Sequence, residues 1–317
     1  MPKTIGIDAR FYGPSGKGLG RYTQEIIHHL LALDKKNRYV IFLSRENFDL
    51  LDISPWPNAR KVLTDVRWYS LAEQILMPFY IWREKVDLMH FHHFNVPIFT
   101  PTKFVVTIHD LILLRFPTVR ASTLGPLFYW FKHFAYRLVI SLAVRRAQKI
   151  IAVSHFTRED ILRCFKVPPA KVKAVYEGVS EVFQTQEGRI EEIERQLRRY
   201  GVRRPFLLYV GNAYPHKNLE RLLKVFVKVY QRHPNLQLVL VGKEDYFYTR
   251  LKQYACRLKL WDERGAWAVA FPGYVPDSDL RLFYQEALAY VFPSLYEGFG
   301  LPPLEAMAQG CPVLSSN

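Results

Sequence analysis

The chain is 317 residues long, 49% apolar, and carries a formal net charge of +15. That length accommodates two domains with separate cores, and the apolar fraction excludes an intrinsically disordered chain. No run of about 18 uncharged apolar residues occurs, so no transmembrane helix is expected; the nearest approach, residues 124–144, is interrupted by Lys132, His133 and Arg137.

Short β-rich runs alternate with longer helical patterns, the signature of parallel sheets assembled from βαβ units. In the first half, strands are predicted at residues 4–9, 39–44, 61–66, 86–91, 104–108, 150–153 and 173–176, with helices at 22–33 and 71–85 among the gaps. The unbroken apolar run Phe104-Val105-Val106 fits a strand buried on both faces. Past Val182 the pattern changes, and residues 184–201 read as a polar linker followed by a surface helix. A second series of strands follows at 205–210, 236–241, 269–271, 290–292 and 312–315. The expected architecture is α/β: a first doubly wound, Rossmann-like domain over 1–183 and a second over 184–317. The two would meet at a cleft, with ligands at the carboxyl ends of the strands.

The N-terminus enters the strand-like run Thr4-Ile5-Gly6-Ile7 without the regions of a signal peptide. Three cysteines, Cys164, Cys256 and Cys311, have neither zinc-site nor disulfide spacing and suit a reducing cytoplasm. The basic excess requires an anionic partner. Zinc-finger spacing and aromatic-basic RNA-binding signatures are absent, so nucleic acid is not expected. A phosphate-bearing small molecule together with an anionic membrane surface is favoured. The segment Leu124 to Lys132 mixes aromatics with a basic residue, as interfacial helices do, although a helix packed on the first sheet would look the same.

Four motifs follow predicted strands. Gly16-Lys17-Gly18-Leu19-Gly20-Arg21 leads into a helix, where glycines let backbone amides approach an anion, although a plain turn accounts for them equally. It is not a dinucleotide fingerprint, because the sixth position is Arg21, nor a P-loop. His109-Asp110 ends the strand at 104–108, placing a polar pair toward a cleft, where a histidine satisfied by backbone is the alternative. The group His90, His92, His93 suggests a metal site, but adjacent side chains of an extended segment point to opposite faces, so no metal is expected there. Gly211-Asn212-Ala213-Tyr214-Pro215-His216-Lys217-Asn218 joins a strand to a helix that Asn218 is expected to cap. Lys217 there sits near a helix N-terminus, electrostatically unfavourable unless an anion is bound. Finally, Glu297-Gly298-Phe299-Gly300-Leu301-Pro302-Pro303-Leu304-Glu305 joins a strand to a helix, with Glu297 in the loop, Glu305 in the first helical turn and Gly310 as the stop. Its two carboxylates and intervening amides suit sugar and ribose hydroxyls.

The segment from Glu297 to Glu305 resembles the E-x7-E signature of the retaining GT-B glycosyltransferases called family 4. The resemblance extends through the lysine loop, through Val106-Thr107-Ile108-His109-Asp110-Leu111 and Ala152-Val153-Ser154-His155-Phe156-Thr157, and covers essentially the whole chain. It implies a transferase, mannosyltransferase-like, moving a sugar from a nucleotide sugar, foremost GDP-mannose, to a polysaccharide or lipid-linked acceptor. The N-terminal domain would then serve the acceptor. By resemblance Glu297 binds the transferred sugar with the amides of Gly298, Phe299, Gly300 and Leu301, and Glu305 holds the ribose. Lys217 neutralises the diphosphate in a donor loop that includes Asn212, Gly18 adds an amide from the opposite domain, and His109 contacts the donor sugar. No cofactor or metal is implied beyond the nucleotide-sugar co-substrate, and the setting implied is cytoplasmic, peripheral at the inner membrane face.

Two departures stand out. Many relatives carry an arginine five residues before the diphosphate lysine, where this chain has Asn212, leaving Lys217, Arg21 or another cation to neutralise the diphosphate. Relatives also continue through further helices, so the resemblance implies a truncated second domain. The DxD-like Asp277-Ser278-Asp279 would suggest a metal-dependent GT-A enzyme, but it precedes a helical pattern at 280–287 and reads as an N-cap. The rival functions are a GT-B sugar-nucleotide epimerase or phosphorylase-like enzyme, for which no pyridoxal lysine is marked out, and a non-catalytic nucleotide-sugar-binding protein.

Overall fold

In the computed structural model, which describes residues 1–116, 126–184, 190–262 and 268–316, the apolar runs pair into two wholly parallel sheets. The first has strands β1 (Thr4–Asp8), β2 (Arg38–Leu43), β3 (Ala59–Leu63), β4 (Leu88–Phe91), β5 (Lys103–Ile108), β6 (Lys149–Ala152) and β7 (Val172–Ala174), in the spatial order β3-β2-β1-β4-β5-β6-β7. The second has β8 (Phe206–Val210), β9 (Gln237–Val241), β10 (Val269–Gly273), β11 (Ala289–Phe292) and β12 (Val313–Ser315), in the order β10-β9-β8-β11-β12. Each predicted strand is found, within a few residues at the ends. The chain divides into two compact units, with Glu177 ending the first and Gly178 opening the main body of the second.

Helices cover both faces of each sheet because the central strands are apolar on both sides. In the N-terminal unit α1 (Lys17–Leu33) buries Ile27 and Leu31 against Ile7 and Ile41. On the opposite face α2 (Leu71–Arg83), the short α3 (Ile112–Arg115), α4 (Pro126–Arg146) and α5 (His155–Phe165) follow in chain order. Met77 and Ile81 of α2 share one core with Ile140 and Val144 of α4 and Ile161 of α5. In the C-terminal unit, α6 (Ile190–Arg199), α9 (Asp277–Glu286) and α10 (Leu301–Ala308) cover one face of the second sheet. The other face carries α7 (Leu219–Arg232) and α8 (Tyr246–Arg257). α7 shows the logic: Leu219, Leu223 and Phe226 fall on one stripe and are buried, each contributing roughly 1.5–3 kcal/mol of apolar burial.

Several local expectations are corrected. α1 begins at Lys17 rather than near residue 22, because Gly18 and Gly20 are themselves helical. Asn218 occupies the N-cap position of α7 with φ +60°, but its side chain makes no capping bond and donates instead to Pro293 O. Asp277 and Asp279 lie inside the first turn of α9, whose N-cap is Pro276; Asp279 accepts from Gln196 of α6 and the Tyr200 hydroxyl, tying two helices together. Glu305 is the fifth residue of α10 rather than a first-turn residue, while Gly310, at φ +75°, follows the helix end as expected. Of the aromatic-basic segment, residues 124 and 125 lie outside the described residues. The remainder forms the start of α4, with Trp130 and Phe131 exposed.

Gly20 is needed for close approach. A Cβ there would meet Gly13 O at 2.1 Å and Phe11 O at 2.7 Å, both backbone atoms that cannot swing aside. Gly20→Ala is expected to destabilise the N-terminal unit by about 1–3 kcal/mol. Gly18→Ala, with nothing within 4 Å of the added carbon, should stabilise α1 by up to about 1 kcal/mol. Denaturant midpoints of the two variants compare them directly; equal midpoints would contradict the steric assignment.

Candidate functional site

In an open parallel sheet, the strand ends splay apart where the winding direction reverses, and a ligand fits in that crevice. In the second sheet this point lies between β8 and β11, which pair through Leu207 with Ala289 and Leu208 with Tyr290. The loops leaving those strands, 211–218 and 293–300, are thereby brought side by side. Leu295 N donates to His216 O at 2.8 Å, and Asn218 Nδ2 donates to Pro293 O at 3.2 Å. Between them the Lys217 ammonium forms an ion pair with the Glu297 carboxylate, two residues 80 positions apart in sequence. Both side chains are largely shielded, at 15% and 18% exposure. Lys217 stands just ahead of the α7 N-terminus, where the helix dipole opposes a cation, and Glu297 is its counter-ion in this structure.

The other expected donor residues of the C-terminal unit lie on these two loops and on the helix α10 that follows the second. Asn212 is held by the turn itself, its carbonyl accepting from Tyr209 OH at 2.7 Å and its Oδ1 from Tyr214 N at 3.3 Å. Burial, reinforced by Lys217, pushes His216 down to about 4, so its ring is neutral at neutral pH. Gly298, Phe299 and Gly300 run from Glu297 into α10; Gly300 adopts φ +103°, a left-handed conformation open to glycine. Among the first three residues of α10 only Leu301 carries an N–H, because Pro302 and Pro303 follow it. Glu305 is buried, and its Oε2 accepts from the Tyr284 hydroxyl at 2.9 Å. On the α8 side of the lysine loop, Arg250 lines a small cleft with Tyr214, Pro215, Asn218 and Phe247, a second cation close to that loop.

In the N-terminal unit, His109 follows β5 and is fixed at both ring nitrogens. Nδ1 lies 3.1 Å from Glu177 Oε1 and Nε2 lies 2.9 Å from His92 O, while Tyr22 of α1 meets the ring edge-on at 4.6 Å. Gly18 lies in the first turn of α1, the helix that carries Tyr22. The three histidines of the 90–93 group are held by their immediate neighbours. His90 Nε2 pairs with Thr107 Oγ1 at 3.0 Å, His92 Nδ1 with Thr23 Oγ1 at 3.2 Å, and the His93 ring lies tilted against Phe94 with centroids 4.0 Å apart. Burial first, and His109 after it, pushes His90 down to about 4 and His93 to about 3, and burial followed by His90 and His109 holds His92 well below its usual range, so these rings are neutral.

Residues 16–182 match the family described as Glycosyltransferase Family 4, and residues 190–317 match Glycosyl transferases group 1. The chain belongs to glycosyltransferase family 4. Among curated relatives, the O-antigen chain mannosyltransferase RfbU of Salmonella typhimurium is 30% identical over 219 residues, covering 68% of this chain and 56% of that protein. The O-antigen chain mannosyltransferase B of Escherichia coli is 33% identical over 176 residues, 54% of this chain and 44% of the relative. The match therefore spans about half the length of these relatives. Among solved structures, a sucrose-phosphate synthase from Thermosynechococcus elongatus superimposes with a TM-score of 0.74 at 18% identity, covering 99% of this chain and 81% of the other. The fold is GT-B.

Two features of this family-4 chain escaped the sequence reading. Glu177, the partner of His109, is a carboxylate just past β7, and the strand-end rule that singled out His109 marks it as well. The second is a buried charge network. The Arg10 guanidinium is fully buried, with Nε and Nη2 on Asp8 at 2.8 and 2.7 Å and Nη2 also on Glu73 Oε1 at 2.6 Å. Glu73 Oε2 in turn accepts from Tyr69 N at 2.8 Å and Asn95 Nδ2 at 2.7 Å. Burial would lower the Arg10 pKa, but Asp8 and Glu73 outweigh it and hold the guanidinium charged. The network locks the loops after β1, β3 and β4 together, and at its edge Phe11 stacks on Trp68 at 4.0 Å. No periodic or motif signal connects these positions.

Proposed function

We propose that the chain is a retaining hexosyltransferase that moves a sugar, foremost mannose from GDP-mannose, to a hydroxyl of a polysaccharide or lipid-linked acceptor. The observation that carries this reading is the Lys217–Glu297 pair at the crevice of the second sheet. It sets a cation and a carboxylate side by side where one ligand can meet both.

In this reading Lys217 moves from Glu297 to the diphosphate and neutralises the charge that develops as the glycosidic bond to it breaks. Glu297, released, accepts hydrogen bonds from hydroxyls of the transferred sugar, with the amides of Gly298, Phe299, Gly300 and Leu301 nearby. Glu305, held by Tyr284, takes the ribose. Within the N-terminal unit, Glu177 fixes the tautomer and orientation of the His109 imidazole, which with Gly18 has its role by resemblance alone. The acceptor hydroxyl attacks the face the leaving group departs from, and its proton leaves with the nucleoside diphosphate. The names of the two O-antigen mannosyltransferases support mannose as the sugar.

A thermal-shift screen of nucleoside diphosphates and their sugars tests the donor. GDP and GDP-mannose are expected to raise the unfolding temperature by several degrees, because a ligand at a hundred times its Kd stabilises by about 2.7 kcal/mol. A response confined to UDP or ADP compounds would overturn the GDP-mannose assignment, and no response to any would overturn the donor site.

A further inference from the structure

Helix α2 is apolar on both faces. Met77 and Ile81 point into the sheet, whereas Leu71, Ile75, Phe79 and Trp82 point outward at 87%, 71%, 50% and 68% exposure. Their spacing of four, four and three residues puts them on one stripe. A helix apolar all round is ordinarily buried all round, and an exposed patch of this kind marks a surface that something else covers.

Exposed aromatics recur on α4. Both helices pack on the same face of the first sheet, and α4 also turns aromatics outward, with Trp130, Phe131 and Phe134 at 56%, 68% and 66% exposure. The loop after β4 is fastened to the first half of α2 and to the last residue of α4: Ile98 N donates to Gln74 Oε1 at 2.8 Å, and Arg146 Nη2 donates to Thr100 O at 2.9 Å. Phe99, 75% exposed, stands between those anchors.

The exposed charges on this face are basic, and Glu84, the carboxylate just past the end of α2, is 12% exposed and paired with Arg83 and Arg60. Arg83 and Lys85 are exposed at the end of α2, and Lys132, Arg137 and Arg145 are exposed along α4. The one carboxylate of α2, Glu73, is buried on Arg10, and α4 contains none. Outward aromatics flanked by cations are the chemistry of a helix lying in a membrane interface. A second copy of the chain meeting this face by two-fold symmetry would set like charges against each other.

We propose that the outward face of α2, with Phe99 and the start of α4, docks the chain on an anionic lipid bilayer. The aromatics enter the headgroup boundary and the cations meet lipid phosphates. The proposal stands on this surface alone and is independent of the donor reading.

The test is flotation of the full chain with vesicles of phosphatidylglycerol and phosphatidylcholine, compared with phosphatidylcholine alone. Binding is expected to the anionic vesicles, weakening as salt rises. The triple variant Ile75→Ser, Phe79→Ser, Trp82→Ser should lose at least about tenfold in partitioning, since it removes the apolar area that enters the interface. A control pair in the C-terminal unit, Val225→Ser with Leu288→Ser, also exposed, should bind as the parent does. Because the altered residues are exposed, unchanged thermal midpoints are expected; Arg137→Glu gives an independent variant that should weaken binding severalfold at low salt. Absence of binding by the parent chain, or equal binding by the triple variant, would overturn the proposal. So would a dimer that the triple variant dissociates without any lipid affinity, which would make the face an interface between copies.

Discussion

Replacing Lys217 by alanine is expected to lower the rate of sugar transfer by about a hundredfold to a thousandfold, the usual effect of removing one preorganised group that stabilises transition-state charge. Glu297→Gln should slow transfer on a similar scale, yet change binding in the opposite sense. In this structure the carboxylate is the counter-ion of Lys217, so a nucleoside diphosphate has to displace it. Neutralising Glu297 frees the ammonium, and because a partly exposed pair contributes about 0.2–1 kcal/mol, nucleoside diphosphate affinity should rise roughly up to fivefold. Calorimetry with GDP and a product-release assay on the same preparations read both effects. Weaker GDP binding by Glu297→Gln would show that the pair does not compete with the diphosphate. Unchanged turnover in both variants would remove these two residues from the reaction.

Glu73→Ala is expected to cost the N-terminal unit about 3–5 kcal/mol, because it strips a buried guanidinium of one of its two carboxylates. It also leaves Tyr69 N and Asn95 Nδ2 without the acceptor they share. For a unit of this size that corresponds to a fall of roughly 10 °C in its thermal midpoint. The contrasting variant is Asp65→Ala, which breaks the exposed pair with Arg45 and should cost less than about 1 kcal/mol. Scanning calorimetry separates the two cases. A Glu73→Ala loss no larger than that of Asp65→Ala would mean that the guanidinium is satisfied without Glu73.

The same contrast marks what could be read in advance. Strands β5 and β8 were legible because continuous apolar runs bounded by turn residues admit few other structures, and the motifs were legible because each follows such a run. Caps were less so. Asn218 stands at the N-cap of α7, but its side chain is claimed by Pro293 O, a carbonyl 75 residues away that no local rule reveals. Asp279 likewise serves α6 and Tyr200 rather than the end of its own helix.

By itself, then, the sequence determined the alternation of strand and helix, the two series of βαβ units, and the residues that close each strand, since backbone pairing and apolar period are local properties. Only the tertiary structure decided that β8 lies beside β11. Strand order follows from how helices cover both faces of a sheet, and that order turns Lys217 and Glu297, 80 residues apart, into one ion pair. It also decided that Arg10, Asp8, Glu73 and Asn95 satisfy one another. A buried charge takes its partners from whatever the packing brings within hydrogen-bond reach, and sequence spacing carries no record of that.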